Sequence, residues 1–379
     1  MRALNRLGSA LAAVAVTAAS AAAFAGPASA ATAPDYVGAS NAVFVQTDNA
    51  AGNRVVAYDR SASGELTLAH SYSTDGLGGA LSGSVVDHLA SQGSLTYDPW
   101  HGLLYAVNAG SNTLSVFSVN GDSLSLSQVV SSHGRFPVSV AVHGDLVYAL
   151  NAKGGGSVQG YRVTGGRLDP IFGSKRHLGL VPPPTFTETP GQVAFSPDGS
   201  QLIVTTKANG SDIDVFAVRA DGHLSASPVV NSEPGTVPFG ITFDRAGHLV
   251  IADAGTDALA TYALGPHGVV TLLDSVGNGQ AATCWVAPAR GFLYASNAGS
   301  ADVSGYAPGG DGNLTLLGET ATDAGTVDAS ASIGGHFLYV QTGGSGIVDE
   351  YQVSSSGSLT EIGSVTVAGA VGGEGIFAA

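Results

Sequence analysis

The stretch LLYAVNAGSNTLSVFSVNGDSLSLS, residues 103–127, returns at 292–316 as FLYASNAGSADVSGYAPGGDGNLTL. The pair belongs to a seven-fold pattern. An aromatic ends a strand-like run at Tyr58, Phe117, Tyr161, Phe216, Tyr262, Tyr306 and Tyr351, at intervals of 59, 44, 55, 46, 44 and 45 residues. Seven or eight residues later comes an aliphatic: Leu66, Leu124, Leu168, Leu224, Val270, Leu314 or Leu359. Upstream lies a strand of the FLYASN type, at 43–45, 103–107, 146–150, 202–206, 249–252, 292–296 and 337–341. A repeat of roughly 45 residues holding several short strands predicts a β-propeller, because no such unit can bury its faces without neighbours.

The expected fold is therefore all-β, a seven-bladed β-propeller with four antiparallel strands per blade. Unit four reads most cleanly as strands A to D from the axis outward: QVAFS (192–196), QLIVTTK (201–207), IDVFAV (213–218) and LSASPVV (224–230). The turns between them carry Asp-Gly, which suits the left-handed φ values of tight hairpins. Unit one has no strand A of its own, while the chain ends GGEGIFAA. Residues 375–378 resemble strand A elsewhere (FGITF, QVAFS). The C-terminal strand is thus expected to complete blade one and close the ring, which removes free sheet edges.

The N-terminus carries a different signal. MRALNR is short and basic, an Ala-rich apolar run spans 7–25, and Pro27-Ala28-Ser29-Ala30 follows. This is the build of a secretory signal peptide over residues 1–30, cleaved after Ala30, with a short linker at 31–40 and one propeller domain over 41–379. No later run is long and apolar enough to span a bilayer, so no membrane span is expected after cleavage. The leader holds Arg2 and Arg6 and no acid, so the mature chain keeps 12 basic against 29 acidic residues, a formal charge of −17. That surface repels nucleic acid and anionic headgroups. The expected protein is secreted and monomeric. Its lone cysteine, Cys284, in AATCWVAP, excludes an internal disulfide and reads as a buried thiol.

Strand direction alternates within a blade, so B–C loops and D–A connections share one face of the disc. That face receives NAGSN (108–112), NAKGG (151–155), ANGSD (208–212), DAGTD (253–257), NAGSA (297–301) and the two long insertions, 73–93 and 169–189. Function is expected there, around an axial funnel lined by the starts of the A strands.

PGQVAFSPDGSQLIVTTKANGSDIDVFAVRADGHLS resembles a blade of the lactonase family of seven-bladed propellers, which includes 6-phosphogluconolactonases and carboxymuconate-cyclising enzymes. The Tyr-Ala-x-Asn strands at 105–108, 148–151 and 294–297 are similar to Tyr-Val-Thr-Asn repeats of related surface propellers. The resemblance covers about 41–379. It implies the propeller fold and hydrolysis or cyclisation of a small lactone or carboxylate in the funnel. This chain departs from the family pattern: FPVSV (136–140), TPGQV (189–193) and VPFGI (237–241) lack the Pro-Arg-His step, and Asn-Ala stands where Asn-Glu is common. Gln92 sits where family members often carry a polar Gln before blade two.

Among residue types suited to lactone chemistry, Glu188 and Glu374 precede A strands and could act as general bases on an attacking water. Arg135 and Lys207 could hold a substrate carboxylate or polarise an ester carbonyl. Gln92 completes the candidates. His88, His133 and His177, placed on three successive D–A connections, could ligate a divalent metal; solvated loop histidines would read the same. No other cofactor is expected. Two functions stay open: a lactone hydrolase or cyclase, or a non-catalytic propeller binding an extracellular glycan, peptide or envelope protein.

Overall fold

A computed structural model describes residues 38–182 and 185–379; the expected leader and most of the linker lie outside the described residues. Seven antiparallel sheets follow one another along the chain. The innermost strands, A, are Leu95–Asp98, Pro137–His143, Val193–Phe195, Pro238–Phe243, Thr283–Ala289, Thr326–Ala331 and, for blade one, Ile376–Ala378. The last pairs with Ala42–Gln46, Val43 facing Ala378 and Val45 facing Ile376, so the ring closes as the sequence predicts. The B strands of blades one to seven are Ala42–Gln46, Leu103–Asn108, Leu146–Asn151, Gln201–Thr205, Leu249–Asp253, Phe292–Asn297 and Phe337–Thr342.

Two D strands differ from expectation. Blade four has its D strand at Val229–Ser232, joined at 224 only by a single bridge to Val218, because Ser-Ala-Ser-Pro interrupts the ladder. Blade three has a broken D strand, Arg167–Pro170 and Arg176–His177, both on the C strand Ser157–Thr164. His177 therefore lies within an outer strand and not on a connection between blades.

The periodic aromatics are ties between blades. Three strand-B tyrosines donate forward to the C–D turn of the next blade: Tyr148 to Gly222 O at 2.6 Å, Tyr294 to Gly357 O at 2.9 Å, Tyr339 to Gly64 O at 2.6 Å. Strand-C tyrosines donate backward to the preceding D strand: Tyr161 to Ser131 O at 2.6 Å and Tyr351 to Ala321 O at 2.7 Å. The rings themselves are buried among β-branched and leucine side chains. The accepting turn glycines have φ of 86°, 85° and 99°, and at Gly64 a Cβ would stand 2.4 Å from the Phe337 ring. Glycine is required there both for the turn and for the close approach.

The Asn that ends a Tyr-Ala-x-Asn strand also has a structural task. Asn108 donates to Ser115 Oγ at 2.8 Å, and Asn297 donates to Ser304 Oγ at 2.9 Å, each seven residues on. The opening repeat is thus one B–C loop lock written twice.

Candidate functional site

The loop-rich end of the axis is built from irregular backbone. Register shifts open the A strands of blades three, five, six and seven, at Pro137/Ser139, Pro238/Ile241, Thr283/Trp285 and Thr326/Ala329. Phe136, Val237 and Ala282, each just before strand A, have φ of 63°, 54° and 58°. A β-branched residue in the left-handed region is a true outlier, and such strain gathers at sites. Beside the bulges, inner-strand amides are free to meet side chains from across the ring. Gln92 donates to Val286 O at 2.9 Å and accepts from Val286 N–H at 3.1 Å. Gln192 accepts from Ile241 N–H at 2.5 Å.

The first long insertion crosses this mouth. His88 N–H donates to Gly372 O at 2.8 Å, Ser91 Oγ donates to Val138 O at 2.9 Å, and Gln92 N–H donates to Gly191 O at 3.2 Å. Trp285 Nε1 donates to Ser91 O at 2.7 Å, and Lys207 Nζ donates to Ala90 O at 2.6 Å. Leu89 is fully buried beneath it. The expected open funnel is therefore covered on this face by the chain's own connection, because the 21 residues at 74–94 between blades one and two reach the axis where shorter connections cannot.

Beneath and around the strap, four carboxyls and one lysine are buried: Asp48, Asp87, Asp328, Glu374 and Lys207. Glu374 accepts from Gly93 N–H at 2.8 Å and Ser94 N–H at 3.3 Å, and Ser91 Oγ approaches its second oxygen at 3.5 Å. Asp328 accepts a hydrogen bond from the Glu374 carboxyl. Asp48 accepts from Glu374 N–H at 2.8 Å and from Gln46 Nε2. Asp87 accepts from Leu89 and Ser91 N–H, both at 2.8 Å.

Burial pushes Glu374 well above the carboxylate range, and Asp328, Asp87 and Asp48 push further in the same direction. Burial likewise raises Asp328 and lifts Asp48 to about 8. Both members of the Glu374–Asp328 pair are thus shifted toward the protonated form, as neighbouring like charges in a dry site are. Burial draws the Lys207 amine down, while Asp87 opposes it. Nζ also donates to Phe186 O at 2.7 Å and Thr189 Oγ1 at 2.9 Å, so three acceptors surround it and only the ammonium fills all three. Cys284 is partly exposed beside Val86 and Phe239, and burial raises its thiol to about 12, which keeps it protonated.

Of the sequence candidates, Glu374, Lys207 and Gln92 converge here from different blades. Arg135 and Glu188 do not join them. Arg135 is exposed beside Lys153, whose amine lies 4.1 Å from the Phe136 ring centre. Glu188 is half-buried in the turn Phe186–Glu188. The three histidines are not brought together: His88 is half-buried against Gly372, His133 is exposed near Tyr161, and His177 is exposed on the outer strand. Among the described residues no three His, Cys, Asp or Glu side chains gather so as to hold a metal ion. Sequence reading missed Asp48, Asp87, Asp328 and Trp285. Comparing the same slot in every repeat, the inward start of strand A, would have exposed Asp328 and Trp285 beside Glu374.

The architecture is that of the lactonase-like seven-bladed propellers. Superposition on a candidate 6-phosphogluconolactonase from Bacteroides uniformis gives a TM-score of 0.71 at 19% identity, covering 87% of this chain and 97% of that one. A periplasmic gluconolactonase from Pseudomonas aeruginosa gives 0.69 at 18% identity, covering 88% and 98%. A candidate 6-phosphogluconolactonase from Bacteroides fragilis gives 0.68 at 19% identity, covering 88% and 96%. At these identities the likeness is one of fold. A scan against protein-family models and a search of curated proteins each returned no match.

Proposed function

We propose that the protein hydrolyses a small lactone at the axial cluster. The observation that carries this is the burial of two neighbouring carboxyls, Glu374 and Asp328, and of the Lys207 amine at one end of the axis. Buried ionisable groups are costly in a core and gather where their chemistry is used. Asp328 takes a proton from water as its oxygen bonds to the lactone carbonyl carbon. Lys207 stabilises the resulting oxyanion with the N–H that leaves Ala90 O, and Glu374 protonates the ring oxygen as the carbon–oxygen bond breaks. Glu374 serves as the acid and not the base, because burial and the neighbouring carboxyls Asp328, Asp87 and Asp48 all favour its protonated form.

Support by fold comes from a neighbour described as a gluconolactonase. The leader read at residues 1–30 fits an exported enzyme.

The test is pH-stat turnover of a lactone panel by wild type, Glu374→Gln, Asp328→Asn and Glu188→Gln. Losing an acid–base partner should cost at least about 100-fold, with Glu188→Gln unaffected. One observation favours a second reading: each axial group has internal partners and lies under the strap. Absence of wild-type turnover from pH 5 to pH 9 would leave a binding propeller for an extracellular glycan or protein, with the cluster as internal glue.

A further inference from the structure

We propose that the strap Gly83–Gly93 and the turn Phe186–Glu188 form one gate over the axial carboxyl pair, with Lys207 as its latch; the proposal rests on reading that pair as a working site. The two insertions belong to different parts of the ring, one between blades one and two, the other between blades three and four. Lys207 joins them: its ammonium donates to Ala90 O in the first and to Phe186 O and Thr189 Oγ1 in the second. Phe186 N–H donates to Ser82 O at 3.3 Å, so the insertions also touch directly.

The strap is built to move as a piece. The Asp87 carboxylate holds Leu89 and Ser91 N–H, and Leu81 N–H donates to His88 O at 2.8 Å, so its own fold does not depend on the ring. It is bounded by Gly83 and Gly93, with φ of 84° and 86°, and holds Ala90 at 51°. Its fastenings are hydrogen bonds spread over blades one, three, four and six, whereas Leu89 is its deep apolar anchor. Lys207 itself sits at φ 54° just past the blade-four B strand, a left-handed position that aims its side chain across the mouth. Withdrawing the strap removes Gly93 N–H and Ser91 Oγ from Glu374 and bares the carboxyl pair.

Hydrogen exchange on the full chain tests this, comparing wild type, Lys207→Met and Thr189→Val. Peptides over 81–93 and 185–189 should exchange together through local opening, ahead of the B strands at 249–253 and 337–342. Lys207→Met should speed both at least about tenfold and leave the B strands unchanged. Thr189→Val, which removes one bond of the three and no charge, should produce a smaller shift in the same two peptides. In a Trp100→Phe background, Trp285 is the remaining tryptophan, and its quenching by acrylamide should rise with the latch removed. Exchange of the strap only with the B strands, or loosening of one insertion alone in either variant, overturns the gate. Since exchange is read without turnover, a lactonase lacking coupled opening sinks the gate alone. Coupled opening without turnover sinks the hydrolysis reading alone.

Discussion

Glu374 and Asp328 stand at the inward strand starts of neighbouring blades, and each alters the other's proton affinity. The consequence of burying acids reaches beyond the axis. Asp253, at the end of the blade-five B strand, is raised to about 8 by burial and then by Glu233, and Asp48 rises to about 8 by burial. In the unfolded chain an Asp ionises near 3.8, so between that value and about 8 the folded state binds more protons than the unfolded one. Stability from these groups is therefore complete below 3.8 and is lost as pH rises toward 8. The melting temperature should fall from pH 5 to pH 8, and Asp253→Asn should flatten the fall; calorimetry across that range decides, and a rising profile contradicts it. At the same scale, Tyr294→Phe deletes the bond to Gly357 O while keeping the ring, and should cost about 1 kcal/mol in urea unfolding.

At the scale of the element, each blade is held by its turns as much as by its strands. Gly64 closes the C–D turn of blade one at φ 99°, accepts Tyr339, and faces Phe337 of blade seven. Gly64→Ala adds a left-handed penalty of roughly 1–2 kcal/mol and a clash with the ring. Its melting temperature should drop by more than that of Gly165→Ala, where a Cβ meets nothing within 4 Å. Equal drops would show that the close approach is unimportant. The B–C loops follow similar logic: Asn-to-Ser locks explain why two distant loops carry nearly the same letters.

At the largest scale, the described strands from 42 to 378 form a ring whose last strand is also its first blade's innermost. Ending the chain at Gly375 removes the partner of Ala42–Gln46 and leaves Val43 and Val45 on an open edge. We expect the shortened protein to lose cooperative unfolding and to aggregate; a monomer with the native melting temperature would show that closure is dispensable. The same wholeness gathers the site, since its groups come from blades one, four and seven and from the connection between blades one and two.

The repeat period, the strand alternation and the Asp-Gly turns were enough, read as letters, to establish seven blades, all but two of their outer strands and the closing strand. Those features are local or periodic, and local geometry follows from them. The letters also named Glu374, ahead of a strand A, and Lys207, at the end of a strand B, while Gln92 came from the resemblance to the lactonase family. They could not reveal that the strap fills the mouth, that Asp328 pairs with Glu374, or that His88, His133 and His177 stay apart. Each of those depends on distances between residues up to hundreds of positions apart, and only the closed ring sets those distances. The proton affinities follow for the same reason: burial and neighbours determine them, and neither exists until the blades have packed.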